Sequence, residues 1–298
     1  MEKISMPSHI LITGSKGQLG QEFQSLVSNQ EYRDKRFYFT DRNSLDITNK
    51  SSLALFIEKN HIDTIVNCAA YTAVDNAEQQ KAFAYKVNEE AVQYMAELAA
   101  EKVIKLIHIS TDYVFDGTSH TPLCEDDMTN PQGVYAKSKH AGEVAILEAN
   151  PKGAIIIRTS WVYSSYGNNF VHTMLRLGQE REKLNVVYDQ IGTPTYARDL
   201  AKTILHILEQ EEDPTKKKVT IYHYSNEGSA SWYDFAKAIF EISKIDCKLS
   251  PISTIEYPTP AKRPPYTILN KEKIKRSYNL EIPYWRDSLK SCISVLRH

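Results

Sequence analysis

Short apolar runs alternate with longer amphipathic stretches through the first half of the chain. His9-Ile-Leu-Ile-Thr13 reads as a buried strand, and after a glycine-rich turn Gln18 to Leu26 carries helical spacing. The unit repeats: strands are predicted at Arg36–Thr40, Thr64–Asn67, Val103–Ser110 and Ala154–Thr159. Helices are predicted between them at Lys50–Asn60, Ala82–Glu101 and Val134–Glu148. Continuously apolar strands separated by helices imply a parallel sheet covered on both faces, an α/β fold of the Rossmann-type doubly wound kind.

Beyond about Arg158 the alternation loosens. Short strands are expected at Leu184–Tyr188 and Val219–Tyr224, and helices at Asn169–Gln179, Ala197–Glu209 and Ser231–Lys244. Tyr257-Pro-Thr-Pro-Ala-Lys-Arg-Pro-Pro265 cannot be a helix or a central strand, so it is expected as an ordered loop. Gln210–Lys218 reads as a solvated, charged turn.

The 298 residues are 42% hydrophobic, enough for one large or two modest domains. Lys and Arg number 36 against 37 Asp and Glu, so no bulk field draws the chain to nucleic acid or an anionic membrane. Cys68, Cys124, Cys247 and Cys292 are scattered and lack metal-ligand spacing, which fits free thiols. With a polar Met1–Ser8 and no membrane-length apolar run, a cytoplasmic location is expected.

Gly14-Ser-Lys-Gly17-Gln-Leu-Gly20 follows the first strand and opens the first helix. Glycines there allow close backbone approach to a pyrophosphate, and the helix N-terminus offers free N–H groups, so Gly14, Lys16, Gly17, Gln18, Leu19 and Gly20 are the expected dinucleotide turn. Asp41 ends the second strand, where a carboxylate accepts from an adenosine ribose and favours NADH. Arg42 suits a 2′-phosphate and keeps NADPH open. Asp46 and the adjoining Ile47 are adenine-side candidates, with capping of the next helix a competing role for Asp46. Ala69, Ala70 and Tyr71 follow the third strand, where small residues let the chain pass beneath a cofactor. On this basis 1–160 is expected to be mainly the NAD(P)-binding domain and 161–298 mainly a smaller substrate-binding α/β region, with the chain crossing between them.

Tyr135 and Lys139 are four apart in a predicted helix, which sets them on one face about 5–6 Å apart at Cβ. An ammonium beside a phenol is expected to favour the phenolate and bring it toward working range. Ser110-Thr111 supplies hydroxyls at a strand end.

Together, the glycine turn, Ser110-Thr111 and Tyr135/Lys139 resemble the extended short-chain dehydrogenase/reductase superfamily. Ser110-Thr-Asp-Tyr-Val-Phe-Asp-Gly117 is similar to a segment of its dTDP-4-dehydrorhamnose reductase family. Further matches are Asn67-Cys-Ala-Ala-Tyr-Thr-Ala-Val-Asp75, Arg158-Thr-Ser-Trp-Val-Tyr163, Gly167-Asn-Asn-Phe170, Asp189-Gln-Ile-Gly-Thr-Pro-Thr195 and Tyr257–Pro264. The resemblance implies reduction of the C4 ketone of a nucleotide sugar by NADPH or NADH. Tyr135 would be the proton donor, Lys139 its partner, and Thr111 a donor to the same oxygen. Asp112, Val114, Phe115, Trp161, Asn168 and Asn169 would face the substrate, with Arg263 on its diphosphate; Asn168 and Asn169 have helix capping as a competing role.

Some members are described as magnesium-bridged dimers. Here Glu22 could serve, but Arg198 stands where another acid is expected, so no metal is assigned and monomer or homodimer stays open. Thr111 is followed by Asp112-Tyr113 rather than Asp-Glu, which disfavours a dehydratase. A 6-deoxytalose-forming 4-reductase and a non-catalytic NADP-binding regulatory subunit of the methionine adenosyltransferase type remain alternatives.

Overall fold

The computed structural model describes residues 8–28, 32, 34–210 and 218–297. The charged turn expected at Gln210–Lys218 lies almost wholly outside the described residues, as does most of the polar start. The first half runs β1 (Ser8–Thr13), α1 (Gln18–Val27), β2 (Lys35–Thr40), α2 (Lys50–Lys59), β3 (Thr64–Asn67), α3 (Val74–Ala77), α4 (Lys81–Tyr85), α5 (Ala91–Lys102), β4 (Lys105–Thr111), α6 (Gly133–Ala149) and β5 (Ile155–Thr159). There follow β6 (Val162–Tyr163), α7 (Phe170–Glu180), β7 (Lys183–Val187), β8 (Ile191–Gly192), β9 (Thr195–Tyr196), α8 (Ala197–Glu209), β10 (Thr220–His223), β11 (Ala230–Ser231), α9 (Trp232–Ser243), β12 (Lys248–Ile252), α10 (Glu272–Tyr278) and α11 (Trp285–Leu296).

Six strands form one parallel sheet in the order β2-β1-β3-β4-β5-β10. Successive strand residues point to opposite faces, and each face is apolar. Ile10, Ile12, Val66, Ile107 and Ile157 pack with Phe23 of α1 and Ile204 of α8 on one side. Leu11, Ile65, Leu106 and Ile156 pack with Leu53 of α2 and Met95 of α5 on the other. The chain departs from β1 to β2 on one side and continues through β3 on the other, so the glycine turn sits at a topological switch point. β10, from the second half, returns to pair with β5. A separate core of Tyr163, Val171, Phe235, Ile239, Trp285 and Leu289 organises the remaining C-terminal elements.

The expected helix at Ala82–Glu101 is interrupted by a π turn at Lys86–Glu90 between α4 and α5. Asn88, within that turn, accepts from Tyr71 N (2.8 Å) and donates to Tyr71 O and Ser138 Oγ (3.0 Å each). Its carbonyl approaches α6 so closely that a Cβ on Gly142 would lie 2.2 Å from the oxygen. The strand expected from Val103 begins only at Lys105, because Val103 closes α5 in the left-handed conformation (φ 56°). The short α3, the two-residue strands, β12, α10 and α11 were not anticipated. In α11 the buried Trp285, Leu289, Cys292 and Ile293 do follow helical spacing.

A buried ion pair fastens α6 to the sheet. Arg158 Nη2 of β5 lies 2.8 Å from Glu143 Oε2 of α6, its Nε donates to the same carboxylate, and Ser110 Oγ of β4 donates to Glu143 as well. Leaving one charge of such a pair without its partner costs about 3–5 kcal/mol. Glu143→Ala should therefore lower the urea-unfolding free energy by about that much, and Glu143→Leu combined with Arg158→Met should recover most of it. A single variant as stable as the wild type would show that the pair does not anchor the helix.

Candidate active site

The C-terminal ends of β1, β3 and β4, the first turns of α6 and the 161–170 segment surround a cleft of about 590 Å³. Its walls include Lys16, Gly17, Gln18, Leu19, Ala70, Thr111, Asp112, Tyr135, Lys139, Trp161, Asn168 and Asn169 from the expected set. Gly14, Gly20, Asp41, Arg42, Asp46, Ile47, Ala69, Tyr71, Val114, Phe115 and Arg263 are not among the lining residues.

Gly14 takes φ +68°, and a Cβ there would lie 2.8 Å from Ala69 N, so only a bare backbone brings β1 and β3 this close. α1 opens at Gly17 with no side-chain cap and no acidic residue in its first turn. Free N–H groups and an unopposed positive dipole end therefore face the cleft, the donor set a pyrophosphate needs. Gln18 ties this turn to the other wall, accepting from Asn169 Nδ2 at 3.0 Å. Asn169 also caps α7, accepting from His172 N (3.2 Å), while it lines the cleft, and Asn168 is exposed on the cleft wall.

Asp41 is half-buried, and its carboxylate pairs with Lys16 and accepts from Asn43 N, Ser44 N and Ser44 Oγ. The Lys16 ammonium and these turn donors hold it well below the usual carboxylate range. Asp46 is not the cap of α2. It accepts from Thr48 N (2.9 Å) and Oγ1 (2.7 Å), while Asn49 accepts from Ser52 N and caps the helix.

Tyr135 and Lys139 stand one turn apart on α6, against Thr111 at the end of β4. Burial pushes the Tyr135 phenol up to about 12, with the Thr111 hydroxyl opposing and Asp112 reinforcing. This corrects the expectation that Lys139 would bring the phenol down: desolvation governs it. Lys139 is fully buried; its Nζ donates to Ile109 O (2.7 Å) and meets His108 Nε2 (3.2 Å). Burial brings Lys139 down to about 8, against the opposing influence of Glu143 and Cys68. Thr111 Oγ1 donates to Asp112 Oδ1 at 3.1 Å and accepts from Tyr113 N. Asp112 is raised to about 7 by burial, which the Thr267 and Thr111 hydroxyls oppose.

Trp161 is held at φ +46° with its ring against Gly192, and it stacks on Trp232 with centroids 3.6 Å apart and planes 6° from parallel. Trp232 was not anticipated, although the Ser231–Asp234 capping box that starts α9 on it is legible. Val114 and Phe115 do not face the cleft, contrary to expectation. They are buried with Leu123 and Leu269 in a small apolar cluster, where Phe115 lies under the Arg158 guanidinium at 5.2 Å. Arg263, also away from the cleft wall, is held by Asp75, which it contacts through Nη1 (3.1 Å) and Nη2 (2.7 Å). Glu22 is buried, pairing with Arg198 (3.2 Å) and accepting from Ser164 Oγ (2.6 Å). No helix among the described residues is long and apolar enough to cross a membrane.

This architecture has counterparts among known proteins. The family model described as RmlD substrate binding domain matches residues 8–298. The chain is 43% identical to the dTDP-4-dehydrorhamnose reductase of Aggregatibacter actinomycetemcomitans over 95% of its own length and 98% of that protein. A solved dTDP-4-dehydrorhamnose reductase of Clostridium acetobutylicum superposes with a TM-score of 0.90 at 40% identity, covering 97% of this chain and 100% of that one. That of Bacillus anthracis, solved in complex with NADP, also reaches 0.90, at 37% identity and coverage of 97% and 100%. Spanning the full match with its glycine turn and its Thr111, Tyr135 and Lys139 in one cleft, the chain belongs to the dTDP-4-dehydrorhamnose reductase family.

Proposed function

We propose that this protein reduces the C4 ketone of dTDP-4-dehydro-β-L-rhamnose to dTDP-L-rhamnose with NADPH or NADH. The observation that carries this reading is the opening of the uncapped α1 N-terminus and the Thr111, Tyr135 and Lys139 side chains into one cleft. A bound reduced nicotinamide supplies the hydride. The N–H groups of Gln18 and Leu19 hold the pyrophosphate, the Gly17 N–H being spent on Gly14 O, and Arg42 with the Asp41-paired Lys16 adds positive charge near the adenosine side.

The protein's own chemistry is proton delivery. Tyr135 Oη gives its proton to the C4 oxygen as negative charge develops there, and the Thr111 hydroxyl turns its one hydrogen from Asp112 Oδ1 to the same oxygen. A phenol near 12 holds its proton firmly at neutral pH, so the donor is loaded before the ketone arrives. Lys139, its pKa brought down to about 8 by burial, then restores the proton to the phenolate. The Trp161–Trp232 stack walls the sugar, with Asp112, Asn168 and Asn169 as polar contacts. Arg263, steadied by Asp75, is the proposed diphosphate contact.

Tyr135→Phe should lower kcat by about 10²–10⁴-fold in a nicotinamide-absorbance assay. Its cofactor affinity, measured by calorimetry, should stay within about twofold, so an active variant would rule out the tyrosine as donor. Reduction should also fall as pH rises through about 8, because the buried Lys139 then loses the proton it must supply. A flat alkaline profile would remove the lysine from the delivery route. NMR of the product should identify the rhamnose configuration at C4. A 6-deoxytalose product would assign the other face of the ketone, and no turnover would favour a binding subunit.

A further inference from the structure

A line of buried polar groups runs behind Lys139, across three strands and into α6. Thr13 Oγ1 of β1 donates to Asn67 Oδ1 of β3 at 2.6 Å, and Ala69 N points at the same oxygen from 3.2 Å. Asn67 Nδ2 lies 3.0 Å from His108 Nδ1 of β4, and His108 Nε2 lies 3.2 Å from Lys139 Nζ. Thr13, His108 and Asn67 are at most 1% exposed, and Lys139 is 2% exposed.

The direction of these bonds follows from their chemistry. A backbone N–H only donates, so the Asn67 atom facing Ala69 is its oxygen, and 2.6 Å is an O–H···O distance rather than an N–H···O one. The amide nitrogen of Asn67 therefore faces His108 and donates to Nδ1. An imidazole that accepts at Nδ1 and is neutral carries its one hydrogen on Nε2. That hydrogen points at Lys139. An ammonium has no lone pair to receive it, whereas a neutral amine has one.

We propose that His108 is a positioning residue of the proton-delivery unit: fixed by Asn67 as the Nε2–H tautomer, it bonds Lys139 only after that lysine has released its proton, and so favours the release. The inference rests on the reading of Tyr135 and Lys139 given above. In each turnover the phenol O–H bond breaks and an O–H bond forms at C4. The phenolate then takes a proton from the Lys139 ammonium, and the resulting amine accepts from His108 Nε2–H while it continues to donate to Ile109 O. Solvent returns a proton to the amine, closing the balance of one hydride and one proton per ketone.

Other charged groups around Lys139 act in the opposite sense or are already paired. Glu143 on α6 favours the ammonium but is clasped by Arg158 of β5, and the Cys68 thiol after β3 is pushed up by burial. Tyr135 is protonated at neutral pH, and His108 itself is held well below its usual value by burial, the Lys139 charge adding to this. His108 therefore stays neutral in the working range.

The test is long-range ¹H–¹⁵N NMR of ¹⁵N-histidine-labelled protein without cofactor, with the His108 signals identified by their loss in His108→Gln. A neutral Nε2–H ring that does not titrate between about pH 6 and 9 is expected, and an Nδ1–H ring overturns the proposal. Asn67→Asp places a pure acceptor at Nδ1, which draws the hydrogen there and leaves Nε2 free to accept from the ammonium. Its alkaline limb in kcat/KM should move up by about one pH unit, with a lower kcat. A variant whose tautomer has switched but whose limb has not moved also overturns the proposal. The wild-type tautomer is read without any turnover, so failure of the Tyr135 reading is distinguished by an active Tyr135→Phe.

Discussion

The clasp of Arg158 and Ser110 on Glu143 is the constraint from which the rest of the site takes its geometry. Helix α6 carries Tyr135, Lys139 and Glu143 at successive four-residue steps, so fixing the last fixes the rotation of the other two. β4 and β5 grip the same carboxylate from below, which sets the height of the helix over the sheet. An apolar contact at this place would pack α6 but would leave it free to roll. Directional, charge-assisted bonds do not.

The same clasp explains how a lysine is kept in the protein interior. A buried ammonium is costly unless it has acceptors and compensating charge. Ile109 O supplies the acceptor and Glu143 some of the charge, yet Arg158 already draws on that carboxylate. Lys139 is thus compensated only in part, and a cation in that condition gives up its proton more readily than one in water. The anchor of the helix and the proton affinity of the lysine are set by one arrangement.

Much of this was legible in the residues. Strand and helix alternation indicated the parallel sheet because fully buried strands are continuously apolar, and the Gly14–Gly20 turn and the Tyr135/Lys139 spacing are local patterns. What escaped the sequence depends on contacts between distant segments. Asn67 and His108 meet only when β3 and β4 pair, and Trp232 reaches Trp161 only through the C-terminal core. Val114 and Phe115 follow the cleft-lining Thr111 and Asp112 in the chain, but a 3-10 turn at Asp112–Val114 swings them into a separate apolar cluster. Asp46 and Asn49 are both plausible caps on sequence; the chain's path through the Asp46–Thr48 turn decides for Asn49.

The π turn at Lys86–Glu90 carries a consequence for how the chain tolerates change in length. It accommodates one residue more than a regular helix would, and each helical residue turns the chain by about 100°. Deleting a single residue there would let α4 and α5 join as one regular helix with Val92, Met95, Ala96 and Ala99 still on the sheet face they cover, but it would close the wide turn from which Asn88 reaches Tyr71 and Ser138. The bulge is therefore a register device. It lets Asn88 turn inward to hold Tyr71 and Ser138 while the helix beyond it keeps its apolar stripe in phase with the core.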